Sequence, residues 1–285
     1  MIIGIHGLEN KPPLDEKMHW WKAAILEGLR RNCAVDQTEL AFELVYWADL
    51  RYDRPVLAEE NKEPYFPDAG SGTFPRQDPD EVQPINAALE QVYEGLDWVQ
   101  AKTGVTPVDD VILKFRFDDL WHYQSETGFA QEVRKRLTER IKAASGQRLL
   151  LVAHSMGSIV AYDVLRMLER NSPSIHIDHF VTLGSPLGLA EVKLKIAEEH
   201  GSVRVPKNVG QWTNLADRRD VATVAGALAH DYAPHEGTGI RDVAVLNEYR
   251  RPNGEANHHK SYGYLRTPEL SAIAMEFTTM CPVGT

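Results

Sequence analysis

Residues 149–165 read LLLVAHSMGSIVAYDVL, a strand signal that runs straight into a helix signal. An unbroken apolar run ends at Ala-His-Ser-Met-Gly-Ser, and a helical period starts at once, with Ile159, Val160, Val164 and Leu168 on one face. This predicts a buried strand over 148–153 that feeds a helix over 156–170. Ser155 then lies on the turn between them, where a strained backbone lifts a hydroxyl above the sheet. The pattern for such an elbow is Gly-x-Ser-x-Gly, and here Ala153 replaces the first glycine while Gly157 keeps the second. Small residues are needed because the turn brings the strand and helix backbones together, and one added methyl is expected to fit. The helix N-terminus favours negative charge beside Ser155, and the Met156 N–H is expected to face an oxyanion there. The tripeptide Ser-x-Gly alone is equally compatible with an ordinary structural serine, so the rest of the chain has to supply the partners.

Strand and helix signals alternate along the sequence. Ile2–Ile5 reads as a first strand, about 17–31 as a helix with Trp21, Ala24, Ile25, Gly28 and Leu29 inward, and FELVYWAD (42–49) as a second strand. A helix over about 128–144 carries Phe129, Val133, Leu137 and Ile141 at every fourth position. Strands are predicted again in HIDHFVTLGSP, GQWTNLAD and IRDVAVLNE. Alternation of this kind implies an α/β domain with a mostly parallel central sheet covered by helices on both faces.

Between Arg51 and Pro84 lie six of the sixteen prolines, at 55, 64, 67, 75, 79 and 84, so neither helix nor ladder can persist there. An amphipathic helix is predicted at 85–102. Residues 51–115 read as an insertion in a single 285-residue domain, a candidate cap or lid over a site.

A net charge of −10 excludes general affinity for nucleic acid or anionic membranes. No run approaches the ~20 apolar residues that span a bilayer, which excludes stable membrane insertion on this reading. MIIGIHGLENK has no basic, then long apolar, leader pattern, and Cys33 and Cys281 read as plain thiols, so a cytoplasmic location is expected.

A nucleophilic serine needs a base and a group to orient it, arriving after the serine in the order acid, then histidine. WTNLADRRDVAT offers Asp217 and Asp220 just past a predicted strand, and NHHKSYGYL offers His258 and His259 in a later loop. The aspartates could instead form ion pairs with Arg218 and Arg219. The paired histidines could instead ligate a metal together with His230 and His235. At the other end, GIHGLEN follows the first strand, and the backbone of Leu8 is the candidate second oxyanion donor. His6 precedes the serine and is expected to shape that loop rather than to act as the base.

The stretches IHGLEN, AHSMGSIVAYDVL, TLGSPLGL, WTNLADRRDVA and HHKSYGYL together resemble the α/β-hydrolase superfamily. More narrowly they are similar to bacterial lipase-like serine hydrolases with an N-terminal His-Gly oxyanion loop, and to intracellular phospholipase A1 proteins. The resemblance implies Ser155 as nucleophile, Asp220 as acid with Asp217 as runner-up, and His259 as base with His258 as fallback. It implies a small-molecule or lipid carboxylic ester as substrate, and no metal or organic cofactor. Two positions depart from the pattern: Ala153 in the elbow, and Leu8-Glu9 where Ile-Gly is usual. Two other functions fit less of the sequence: a hydrolase scaffold kept for binding or regulation without activity, and a metal-dependent hydrolase built on the histidines.

Overall fold

A computed structural model of the protein describes residues 1–78, 118–220, 222–223 and 227–279. The elements run β1 (Ile2–Ile5), α1 (Leu14–Cys33), β2 (Phe42–Val45), α2 (Asp118–Ser125), α3 (Thr127–Ala143), β3 (Leu150–His154) and α4 (Met156–Asn171). They continue through β4 (Ile177–Leu183), α5 (Ala190–His200), β5 (Val209–Ala216), β6 (Ile240–Ala244), α6 (Ser261–Leu265) and α7 (Pro268–Thr279).

The six strands form one sheet in the order β2-β1-β3-β4-β5-β6, and every described pairing is parallel. Parallel strands are buried on both faces, and β1 and β3 accordingly have no exposed residue. The two-residue period splits their side chains between two cores. Ile3, Ile5, Leu151 and Ala153 pack under α2, α3, α4 and α5. Ile2, Leu150 and Val152 pack against α1, α6 and α7, where Trp21 is fully buried.

From β1 the chain moves outward to β2, then crosses back to β3 on the other side of β1 and continues in that direction. The strand order therefore reverses between β1 and β3. In open parallel sheets the crevice at the carboxyl ends of the strands at such a reversal is where ligands bind. The loops after β1 and β3 carry Gly7-Leu8 and Ser155.

The structure differs from the sequence reading at several elements. FELVYWAD is a strand only to Val45, and a 3-10 turn at Ala48–Leu50 closes it. IRDVAVLNE keeps only Ile240–Ala244 as strand. Helices α2, α5, α6 and α7 are additional. Leu270, Ile273, Ala274 and Phe277 of α7 do recur at helical spacing, so that signal was present in the sequence. Residues 51–78 are irregular, as their prolines require, and part of this stretch lies along α1. Tyr65 Oη and the Asp68 N–H donate to Glu27, and the Phe74 N–H donates to Asn32. The rest of the expected insertion, the helix expected at 85–102 and Cys281 fall outside the described residues.

Candidate functional site

Ser155 has φ +54° and ψ −132°, a backbone that L-residues other than glycine adopt only under strain, at a cost of order 1–3 kcal/mol. Its surroundings impose this conformation. The Ser155 N–H donates to the Leu183 carbonyl of β4 at 2.9 Å, while its own carbonyl accepts from Ser158 Oγ at 2.6 Å. The close approach anticipated for the elbow is real. A Cβ at Gly157 would lie 2.6 Å from the His6 carbonyl oxygen, and one at Gly7 would lie 2.5 Å from Ser155 Cβ. Ala153, at the position of the missing glycine, sits inside β3 opposite Ile5 and Thr182, where its methyl is wholly buried in the core.

Ser155 Oγ lies 2.9 Å from His259 Nε2. His259 Nδ1 is 2.9 Å from both oxygens of Asp220. Asp220 in turn accepts from Tyr264 Oη at 2.7 Å and from the Ala222 N–H at 2.9 Å. The serine and the aspartate follow the ends of β3 and β5, and the histidine lies in the long loop between β6 and α6, so the three meet beyond the carboxyl ends of the strands although 104 residues separate the serine from the histidine. Oγ donates to Nε2 and the Nδ1 proton goes to the carboxylate, the arrangement in which an imidazole can accept the serine's proton.

The remaining sequence candidates are placed elsewhere. Asp217 is fully buried with Arg219, which donates to both its oxygens, and with the Asn247 N–H. His258 Nδ1 bonds the Asn247 carbonyl. His6 is buried, accepting at Nε2 from the Trp47 N–H and donating from Nδ1 to the Gly7 carbonyl. Both ring nitrogens are occupied, and burial, then the charge of Lys11, hold its pKa well below the usual histidine value. It shapes the loop after β1. Among the described residues, the His/Cys/Asp/Glu group close enough to share an ion is Asp163–Glu199–His200, and His230, His235, His258 and His259 are not in it. Arg134 already pairs with both Asp163 and Glu199.

Met156 opens α4 and Leu8 follows Gly7, so both candidate oxyanion donors flank Ser155 in the chain and across the crevice. The glycine missing from this loop has a structural counterpart. Glu9 has φ +73°, and its N–H is held by Asp119 Oδ2 at 2.6 Å. Lys11 Nζ bonds the carbonyls of both Leu8 and Glu9. A glutamate held in a backbone conformation that favours glycine is thus pinned from two sides.

Two contributors went unassigned in the sequence. His154 Nε2 donates to the His259 backbone carbonyl at 2.7 Å, fixing the loop that presents the imidazole. Burial, then the charge of His259, keep His154 well below the usual histidine pKa, so it stays a neutral donor. Its signal was its place beside Ser155. Tyr264 links the two aspartates, accepting from the Asp217 N–H at 3.0 Å while donating to Asp220. A cavity of about 510 Å³ is lined by Gly7, Leu8, His154, His259, Lys11 and Lys17, among others. Ser155 itself is 1% exposed, beneath Gly7 and beside His259.

No described helix is long and apolar enough to cross a membrane. The sequence model of the lecithin:cholesterol acyltransferase family matches residues 111–197, a span that includes α3, β3, the Ser155 turn, α4 and β4. Among curated proteins none matches the sequence. The all-parallel sheet, its reversal between β1 and β3 and this match identify an α/β-hydrolase fold whose Ser155-bearing region is similar to lecithin:cholesterol acyltransferase.

Proposed function

We propose that the protein is a serine hydrolase of the esterase or lipase-like kind, cleaving a carboxylic ester through an acyl-enzyme on Ser155. The observation that carries this is the unbroken hydrogen-bond chain from Ser155 Oγ through His259 to Asp220. Oγ attacks the ester carbonyl carbon while His259 Nε2 takes its proton. Asp220 keeps the imidazole in its Nδ1–H tautomer and stabilises the imidazolium that forms. The N–H groups of Leu8 and Met156 receive the oxyanion. The tetrahedral intermediate collapses as His259 returns the proton to the departing alcohol. Water then enters, loses a proton to His259 and releases the acid. These steps need no metal or organic cofactor.

The strained backbone at Ser155 supports the same reading, since strain at one residue of a well-packed turn is retained where it aims a side chain. The likeness to lecithin:cholesterol acyltransferase favours a lipid ester as substrate, and an alcohol in place of water as an acceptor to be tested.

A fluorophosphonate probe should label the wild-type protein at Ser155 and fail to label Ser155→Ala, with ester turnover falling by about 10³-fold or more. Undiminished labelling of the alanine variant would show that another residue is the nucleophile. Absence of both labelling and turnover across acyl lengths in the wild type would favour the inactive scaffold.

A further inference from the structure

Lys17 lies on the inward face of α1, four residues before Trp21, and is 2% exposed. Its ammonium has three donors, and the described acceptor is one neutral group, Tyr262 Oη at 2.9 Å, with the Tyr262 ring 4.3 Å away. No carboxylate among the described residues forms an ion pair with it. Lys11 is in a similar position: its Nζ bonds two backbone carbonyls and pairs with no described carboxylate. Both lysines line the cavity that also touches Gly7 and His259.

The other cations of this cavity are treated differently. Lys260 and Arg251 both pair with Glu63, at 2.6 and 2.8 Å. Glu63 is thereby occupied, and the cavity's other carboxylate, Glu9, is exposed. Taking a charge out of water without a counter-charge is expensive, and α1 could bury an apolar residue at this position without that cost. The charge is retained beside the reacting groups, where a substrate anion would supply the missing partner.

We propose that this cavity is an anion subsite, and that the substrate is an ester carrying a carboxylate or phosphate close to its scissile carbonyl, held by Lys17 with Lys11 alongside. The inference rests on Ser155 being the nucleophile. A lysine is a compact point charge and suits either anion, so the chemistry fixes the charge of the group and leaves its source to experiment. Burial, then the charges of Lys260 and Lys11, hold the Lys17 pKa well below the usual lysine value against the opposing charge of Glu63, and a bound anion would raise it. Anion binding at this subsite is therefore coupled to proton uptake and weakens as pH rises.

Two matched pairs of esters test this. In the first, mono-p-nitrophenyl glutarate is compared with p-nitrophenyl valerate, placing the anion on the acyl side. In the second, a 1-acylglycerol 3-phosphate is compared with the 1-acylglycerol of the same chain, placing it on the alcohol side. In at least one pair, kcat/KM should favour the anionic member by about tenfold or more. That ratio should fall toward one in Lys17→Met, and more weakly in Lys11→Met, which also serves if the first variant does not fold. Inorganic phosphate or glutarate should raise the melting temperature of Ser155→Ala, and the rise should vanish when Lys17→Met is added. A ratio near one in both wild-type pairs, or a ratio unchanged by both lysine variants, overturns the proposal. If fluorophosphonate labelling succeeds and no preference is found, the subsite alone is wrong. If labelling fails, the hydrolase reading is wrong, and the melting experiment still decides whether the cavity binds anions.

Discussion

Asp217 and Asp220 are three residues apart in one loop after β5, and both are buried, yet their surroundings assign them different tasks. The partners of Asp217 are a guanidinium and two backbone N–H groups: the Arg219 side chain grips both its oxygens, the Arg219 N–H donates to Oδ1 and the Asn247 N–H donates to Oδ2. It ties the loop after β5 to the loop after β6. Among the described residues no arginine pairs with Asp220. Its oxygens face an imidazole, a phenol and one backbone N–H. A carboxylate held by a permanent cation is occupied, whereas one facing an imidazole can stabilise the charge that arises when that imidazole takes up a proton. Burial and residue type are the same in the two cases, and the identity of the partner makes the difference.

The largest expected effect separates the two directly. Asp220→Asn should lower ester turnover by about 10³-fold or more by favouring the wrong tautomer of His259, with little change in melting temperature. Asp217→Asn should do the reverse. An amide cannot accept from Arg219 and Asn247 as the carboxylate does, so chemical denaturation should show a loss of about 2–4 kcal/mol with turnover retained per folded molecule. If the two variants behave alike, the division of tasks is wrong.

A third carboxylate, Glu63, extends the comparison to pH. Desolvation alone would raise its pKa, but the charge and hydrogen bond of Lys260 and the hydrogen bonds of Arg251 and Asn257 bring it down to about 2. A depressed carboxyl pKa stabilises the fold above the unfolded value of about 4.5, and that stability is lost as pH falls toward 2. Glu63→Gln should therefore be less stable than the wild type at pH 7, by about 2 kcal/mol, and the gap should close between pH 4.5 and 2. Urea titrations at pH 7, 4 and 2.5 measure it. A gap that persists at the lowest pH would mean that Glu63 acts through packing and not through its charge.

The smallest effect is expected at the residue shared by the two aspartates. Tyr264→Phe removes the donor to Asp220 and the acceptor for the Asp217 N–H while keeping the ring. A several-fold drop in kcat together with a stability loss of about 1–2 kcal/mol is expected, because two hydrogen bonds worth roughly 0.5–1 kcal/mol each are lost. Calorimetry and steady-state kinetics on the same preparation would show whether the two effects travel together. A loss confined to one of them would mean that only one aspartate depends on the phenol.

Much of this protein is legible in its sequence because the information is local. The apolar run into Ser155, the helical period after it and the alternation of strands with helices are patterns over a few turns of chain, and they give the parallel sheet and the elbow. Lys17 was legible in part, since a lysine four residues before Trp21 shares its inward face. The residues themselves left the pairs Asp217/Asp220 and His258/His259 open, and resemblance alone ranked them. The choice depends on side chains that meet across 39 and 104 residues, and no local period encodes that meeting. Tertiary packing likewise decided that His6 is occupied by Trp47, that Glu9 bears a glycine's conformation, and that Lys17 faces a neutral phenol while its neighbours share Glu63. Which strands and turns form follows from local sequence, because backbone preference and hydrophobic period are local properties. Only the assembled fold decided which charges face each other, because electrostatic partnership depends on distance through space and not along the chain.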